Sequence, residues 1–498
     1  MEQQFDSRTS NFLNWLVSSA NVQISTKVAF EDLRDVNQGR ALVAVENIAK
    51  NETLFEIPRA HILNVTTSEL GKRSPEIQQK LVTSVGHWEG LILVILYEFK
   101  VLREQSLWWS YFEVLPSAKD MNNLIYWSQN DLDTLNPSLV LDRVGKDSAV
   151  EMYNRVLYHI QEFGIPGLID VTWEEFVHVA SVIMSYSFDV ERSDFGGNEE
   201  QSDEEDDYYT DDDGEDDSSV LKDGYFKSMV PLADMLNSDT HGCNANLVYS
   251  STSLKMIAIK NIHRGDQIYN IYGDHPNAEI LRRYGYVEWS GSKFDFGEIP
   301  LSTVVNTIAC NLNVSVSFIE HVLNYIKSSD SIDELFEGET IILDAYDCYA
   351  DGGIVTECVT LIQVLCVLLQ LPEIETYDEG SLLRVLHRII KKVLQLIGSG
   401  RVTKNTVRLW EQIVDSRLKD YPSHAFREVT PDHTTPHEDS LRQRMAECVL
   451  QCEVRSIQNC FQSIENQFQV IDDEKLARNI LKRKIEVSER SNVKRIRG

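Results

Sequence analysis

The sequence predicts an α+β fold: a β-rich domain interrupted by a helical insert and followed by an all-α C-terminal region. Three observations predict it. Strand patterns bounded by turn residues occupy about 22–65 and return at about 228–290. Helical periodicity fills 66–220 and most of the chain beyond 295. A near repeat links the two strand regions: AVENIAKNETLF at 44–55 and AIKNIHRGDQIY at 258–269. Each copy reads as a strand, Asn-Ile, a basic residue, a turn residue, an acid and a second strand. Gly265 suits a left-handed turn position, and Asn51 is the next-best residue there. The repeat predicts two equivalent hairpins in one β domain, which makes the intervening helices an insertion.

The elements follow in order. The segment 1–80 opens with an amphipathic helix near Asn11–Val17 and continues into strands. The insert, 81–225, carries apolar residues at helical spacing, first Leu91, Val94 and Ile95, then Phe176, Val179 and Ile183. Near its end the stretch Asp194–Ser219 is too poor in apolar residues to order itself, and a flexible loop is expected. Such a loop serves either as a solubilising surface or as an electrostatic lure for a cationic substrate. The β domain resumes over 226–295. The region 296–498 shows long helical patterns at 359–371, 381–397 and 441–470. It closes on Lys482-Arg483-Lys484 and Lys494-Arg495-Ile496-Arg497, two basic clusters resembling a bipartite nuclear import signal. A nuclear location, with the cytoplasm as a second, is the expectation.

Charge narrows the partners. There are 78 acidic and 47 basic residues, a net of −31. Fourteen carboxylates and no base lie between Asp194 and Asp217, which leaves −17 elsewhere. Phosphates repel such a chain, so direct nucleic-acid binding is not expected and a basic protein is the natural complement. No apolar run reaches the roughly 20 residues of a membrane span. The start, MEQQFDSRTSNFLNW, lacks the basic residues and apolar block of a secretion signal, so a soluble intracellular protein is expected. The eight cysteines contain no CxxC pair and read as reduced, mostly core thiols. His61, His87, His241, His263 and His275 show no ligand spacing, and no metal site is expected.

The chemistry concentrates at 229–289. Asp234 and Asn237 interrupt an apolar run. Tyr269, Tyr272, Tyr284 and Tyr286 follow, each near Gly or Asn. Phenols at this density suit a narrow slot for a long aliphatic chain ending in a polar head, or an aromatic core with satisfied hydroxyls.

The order of motifs favours the slot. PLADMLNSD followed by NIYGDHPNAEILRRYGYVE resembles the SET-domain methyltransferases. The likeness is to the branch with a helical insert and a helical C-terminal substrate-binding domain, typified by the Rubisco large-subunit lysine methyltransferase. It extends to DVNQGRALVA at 35–44, WWSYFEVLP at 108–116, YWSQNDL at 126–132 and SYSF at 185–188. What the resemblance implies is an S-adenosyl-L-methionine-dependent protein-lysine N-methyltransferase. Followed to its fungal members, it implies a lysine of a large-subunit ribosomal protein as the target, and the little room a ring of tyrosines leaves favours monomethylation. Gln38, Gly39 and Arg40 would line the cofactor, partly through backbone groups. Asp234, Asn237 and Ser238 would continue that site, with Ser185 approaching from the insert and Phe296 or Phe294 stacking on the adenine. Tyr272 and Tyr284 would be the catalytic pair flanking the lysine channel, with Tyr269 and Tyr186 also on the substrate. Two positions depart from the family pattern: Ser238 stands where histidine is usual, and Tyr186 where arginine is common. Ser238 and the acidic stretch are also what a non-catalytic escort for basic proteins would show.

Overall fold

A computed structural model describes residues 2–36, 38–165, 167–192, 224–336, 338–427 and 438–473. The acidic stretch Asp194–Ser219 and both basic clusters of the tail lie outside the described residues. The chain divides into two compact units. Among the described residues, the first holds 2–132, 142–292 and 438–441, and the second holds 133–141, 293–427 and 442–473. The second boundary differs by three residues from the 295/296 expected, and nine residues of the insert belong to the second unit.

The first unit begins with helix α1 (Glu2–Ser18), longer than the pattern suggested, which buries Phe12, Trp15 and Leu16. Strands β1 (Gln23–Ile24), β2 (Val28–Leu33), β3 (Gly39–Ala44) and β4 (Thr53–Pro58) follow. The helices that follow are α2 (Glu69–Arg73), α3 (Pro75–Thr83), α4 (His87–Leu96), α5 (Trp109–Phe112), α6 (Gln129–Asp133), α7 (Lys146–Phe163) and α8 (Trp173–Tyr186), the last five within the insert. In α4 the run Leu91–Leu96 is buried on every side, which explains its continuous apolar sequence. Strands return as β5 (Ser187–Glu191), β6 (Tyr225–Met229), β7 (Asn237–Ser238), β8 (Ala245–Tyr249), β9 (Ser253–Ala258) and β10 (Tyr269–Asn270). The main sheet has the order β1-β4-β9-β8, while β2-β3, β5-β6 and the parallel pair β7-β10 form two-stranded ladders. Helix α9 (Asn277–Tyr284) falls inside the stretch expected to be strands. Pro276 precedes it, a left-handed Gly285 ends it, and buried Glu279 pairs with Arg282 and Arg283 one turn on. These local signals outweigh the aromatic, strand-like composition.

The repeat is real but its pairing differs from two hairpins. The strands flanking each turn go to different ladders, and the two copies bond to one another about a local two-fold axis. Ile48 N donates to the Ile262 carbonyl and Ile262 N to the Ile48 carbonyl, both at 2.9 Å. Asn51 N reaches the Ala258 carbonyl at 2.8 Å, and its counterpart Gly265 N reaches the Ala44 carbonyl at 2.7 Å. Even the side chains obey the symmetry: Lys50 N donates to Asn261 Oδ1 and Arg264 N to Asn47 Oδ1, both at 2.9 Å. Asn51 and Gly265 take φ values of +71° and +92°, the left-handed turn read from the sequence. A register in which each copy satisfies the other's backbone leaves no internal hairpin to form.

The second unit is helical as expected and adds two short ladders. Strand β11 (Phe296–Pro300) leads into α10 (Leu301–Leu312), α11 (Val316–Ser328) and α12 (Asp330–Asp333), and β11 pairs antiparallel with β12 (Ala345–Tyr349). Helix α13 (Thr356–Leu369) is buried from Cys358 to Leu369, with α10, α14 (Glu379–Ile397) and α15 (Lys404–Leu418) packed on it. Strand β13 (Arg401–Thr403) pairs with β14 (Gln469–Ile471), which follows α16 (Glu438–Asn459) and α17 (Ser463–Gln467). A polar clasp holds residues 133–141 in this unit. Buried Glu453 accepts from Ser138 Oγ, and from Tyr421 Oη at 2.7 Å. Arg417 donates to the Pro137 carbonyl at 2.9 Å.

Candidate active site

Three local devices in the first unit deliver the site residues. A capping box between Thr172 and Glu175 starts α8, whose last turn carries Ser185 and Tyr186. Helix α9 ends at Tyr284, and Gly285 at φ +76° turns the chain sharply. A Cβ at Gly285 would sit 2.7 Å from the Asn122 carbonyl carbon, so glycine is required there. The parallel pairing of Asn237 with Tyr269 and of Ser238 with Asn270 brings the two motifs together.

Tyr272 and Tyr284 face each other with ring centroids 4.7 Å apart, and Tyr286 meets both at 6.5 and 6.4 Å. All three are half-buried. Tyr272 Oη donates to the Leu236 carbonyl at 2.7 Å, and Tyr284 Oη to the Tyr272 carbonyl at 3.3 Å. The pair is therefore locked to the backbone beside Asn237. Burial pushes the Tyr272 phenol well up, with Tyr286, Tyr186, Tyr284 and Asp234 adding to the effect. Burial also lifts Tyr286, against the Ser238 hydroxyl beside it. Both phenols stay protonated at neutral pH, and Tyr272 serves as a donor, not a base.

A second group surrounds the loop at 38–40. Asn237 Nδ2 donates to the Gln38 carbonyl at 3.0 Å and to Gln267 Oε1 at 2.7 Å. Gln267 Nε2 then bonds Gln38 Oε1 and Tyr269 Oη, both at 2.8 Å. Tyr269 thus joins this amide network, while Tyr272 and Tyr284 form their own pair. Arg40 turns toward α1, donating to Thr9 Oγ1 there and to the Val114 carbonyl just after α5, both at 2.9 Å, and it covers the Phe5 ring. Ser185 Oγ donates to the Arg283 carbonyl at 2.7 Å and accepts from Asn123 at 3.0 Å, so it steadies the backbone just before Tyr284. Phe294 and Phe296 belong to the second unit, where Phe296 meets Tyr349 edge-on.

The third group is buried. Asp234 is 4% exposed and accepts a short hydrogen bond from Tyr111 Oη. Its Oδ1 is buried with no hydrogen-bond partner. Burial drives its carboxyl well above the usual range, and the Tyr111 hydroxyl pulls it part of the way back. Tyr186 is lifted to about 12 by burial and by Asp234 beside it. Tyr111, Asn123 and Gln267 were not singled out in the sequence. Tyr111 lies within the WWSYFEVLP motif, so a signal existed; Asn123 and Gln267 are ordinary polar residues in sequence.

The residues fit a methyl donor. Gly39 holds φ +61° with no atom within 4 Å of where a Cβ would stand, an open cradle at the loop. Half-exposed Asn237 and Ser238 edge the same region, and buried Asp234 lies in their motif. Electron-rich rings nearby suit a cation. Among the described residues no group of three metal-ligating side chains occurs, and no helix is long and apolar enough to cross a membrane.

A model of the SET domain matches residues 39–273. The chain is 43% identical over 497 residues to Ribosomal lysine N-methyltransferase 4 of Saccharomyces cerevisiae, covering 99% of this chain and 98% of the relative. It is 28% identical to N-lysine methyltransferase setd6 of Xenopus laevis over 56% of this chain and 57% of that one. Among solved structures, Rubisco LSMT bound to AdoMet shares the fold with a TM-score of 0.59 at 18% identity, over 94% of this chain and 95% of that one. The chain belongs to the SET-domain family of lysine methyltransferases, enzymes that use S-adenosylmethionine.

Proposed function

We propose that this enzyme monomethylates a lysine of a basic, large-subunit ribosomal protein, and that it works in the nucleus with a cytoplasmic pool. The observation that carries the channel is the 4.7 Å packing of Tyr272 on Tyr284, anchored to the backbone beside Asn237. The protein class rests on the name of the S. cerevisiae relative, and a basic acceptor suits a chain of net charge −31. The nuclear part rests on the two basic clusters of the tail.

Free lysine has a pKa near ~10.4 and is protonated and inert at neutral pH. Half-buried aromatic walls disfavour the ammonium and lower that pKa. The cofactor supplies an electrophilic methyl when bound. The chain's part is alignment: Tyr272 and Tyr284 fix the slot, while Ser185, Asn123 and the Arg283 carbonyl hold Tyr284 in place. Gln38, Gly39, Asn237 and Ser238 would hold the cofactor. Tyr269 and Tyr186 would border the substrate. A crowded phenol ring leaves little room for an already methylated nitrogen, which favours a single transfer.

The test is incubation with labelled cofactor and a salt-washed large-subunit protein fraction, read by peptide mass spectrometry, with Tyr284→Phe as control. A monomethylated lysine lost in the variant supports the proposal. Mainly trimethyl product, or no labelled ribosomal protein, overturns it.

A further inference from the structure

Asp234 presents a problem of charge. It is buried, one oxygen takes the Tyr111 hydroxyl and the other has no hydrogen-bond partner. No cation among the described residues pairs with it. The groups facing it are phenols: Tyr111 from α5, Tyr186 from the end of α8 and Tyr272 after β10. Arg40 of β3 acts on Tyr186 and spends its own bonds on Thr9 and Val114. The Leu232 and Asp234 amides favour the charged form without reaching hydrogen-bond geometry. An ionised carboxylate in such surroundings is unstable without a counter-ion, and a neutral acid there is stable. A buried carboxyl with one unpartnered oxygen, ringed by phenols, has the chemistry of a cation site.

We propose that Asp234 is a neutral acid in the free enzyme and ionises when the sulfonium of the methyl donor enters, so that cofactor binding releases a proton. The inference rests on the methyltransferase reading above and assigns one residue to compensating the cofactor's charge. The carboxylate then favours the cationic donor over the neutral thioether left after transfer, which helps clear the product. Tyr111 sets the balance, since its hydroxyl donates to the carboxylate and lowers the cost of ionisation.

Calorimetry of the full chain at pH 7 in phosphate and in Tris tests this, because the difference in apparent enthalpy counts protons exchanged on binding. S-adenosylmethionine should release between about one half and one proton more than S-adenosylhomocysteine, the thioether that lacks the methyl group and with it the sulfonium charge. Asp234→Asn should abolish the difference and weaken the donor about tenfold relative to the thioether. Tyr111→Phe should keep the difference and weaken donor binding, with its release half-point at higher pH. Equal proton counts for the two ligands in the wild type overturn the proposal while leaving the cofactor assignment intact. Proton release seen only on adding a lysine peptide overturns it too, by assigning Asp234 to the substrate ammonium. Failure of both ligands to bind overturns the cofactor assignment and this proposal together.

Discussion

The two units each bury a carboxyl group under a tyrosine hydroxyl, and they treat it differently. In the second unit both oxygens of Glu453 are bonded, one by Ser138 and one by Tyr421, and Arg417 lowers its pKa from nearby. In the first unit Asp234 has Tyr111 on one oxygen and nothing on the other. Glu453 is finished: its partners are all in the chain, and they tie residues 133–141 into the unit. Asp234 is unfinished, in the unit that holds the paired phenols. An acid left incomplete among donors and rings is what a cation-binding site needs, and a completed one is what a structural clasp needs.

Experiments can break that contrast, starting with the largest effect. Tyr284→Phe removes a positioned hydroxyl from the phenol pair and should cut turnover about 10²–10³-fold with little change in melting temperature, read by methyl transfer and thermal scanning. In the second unit, burial raises Glu453 from 4.5 to about 7. The folded state therefore holds a proton more tightly than the unfolded chain does. The resulting stabilisation, ~3 kcal/mol, is fully present below the unfolded value near 4.5 and is lost as pH rises through about 7. Glu453→Gln should flatten this dependence in denaturant titrations run between pH 5 and pH 8, without touching cofactor affinity. Asp234→Asn should do the reverse and change cofactor handling while stability moves by less than about 1 kcal/mol. A strong pH dependence of stability that survives in Glu453→Gln would undo the assignment of the clasp.

Smaller changes sharpen it. Gly285→Ala forces a Cβ onto the Asn122 backbone at positive φ and should cost on the order of 2 kcal/mol by thermal denaturation, with turnover falling because Tyr284 shifts. Asn51→Ala loses a residue that tolerates its left-handed turn and should cost about 1 kcal/mol, while Asn51→Gly should be near neutral, with activity unchanged in both.

Much of the site was legible because its parts lie in short, ordered motifs. Tyr272 precedes one short helix and Tyr284 ends it, and Asn237 is a polar residue that closes an apolar run. The symmetric turns were legible too, because left-handed positions select Gly and Asn. The pairing of the repeat was not, since a strand next in sequence and one 214 residues away offer the same backbone groups. Tyr111 was passed over as one aromatic in an aromatic motif, and its meaning comes from Asp234, 123 residues on. Ser185 was read as a cofactor contact, and the fold gives its hydroxyl to the Arg283 carbonyl.

The sequence by itself determined the periods of the helices and strands, the positive-φ turns and the chemical types gathered in the site. These are local matters of sterics and patterning, settled within a few residues. Only the tertiary structure decided which oxygen of Asp234 goes unpaired, which copy of the repeat bonds to which, and that nine residues of the insert belong to the other unit. Those outcomes depend on contacts between residues far apart in the chain, where burial turns an ordinary carboxyl into either a clasp or a site.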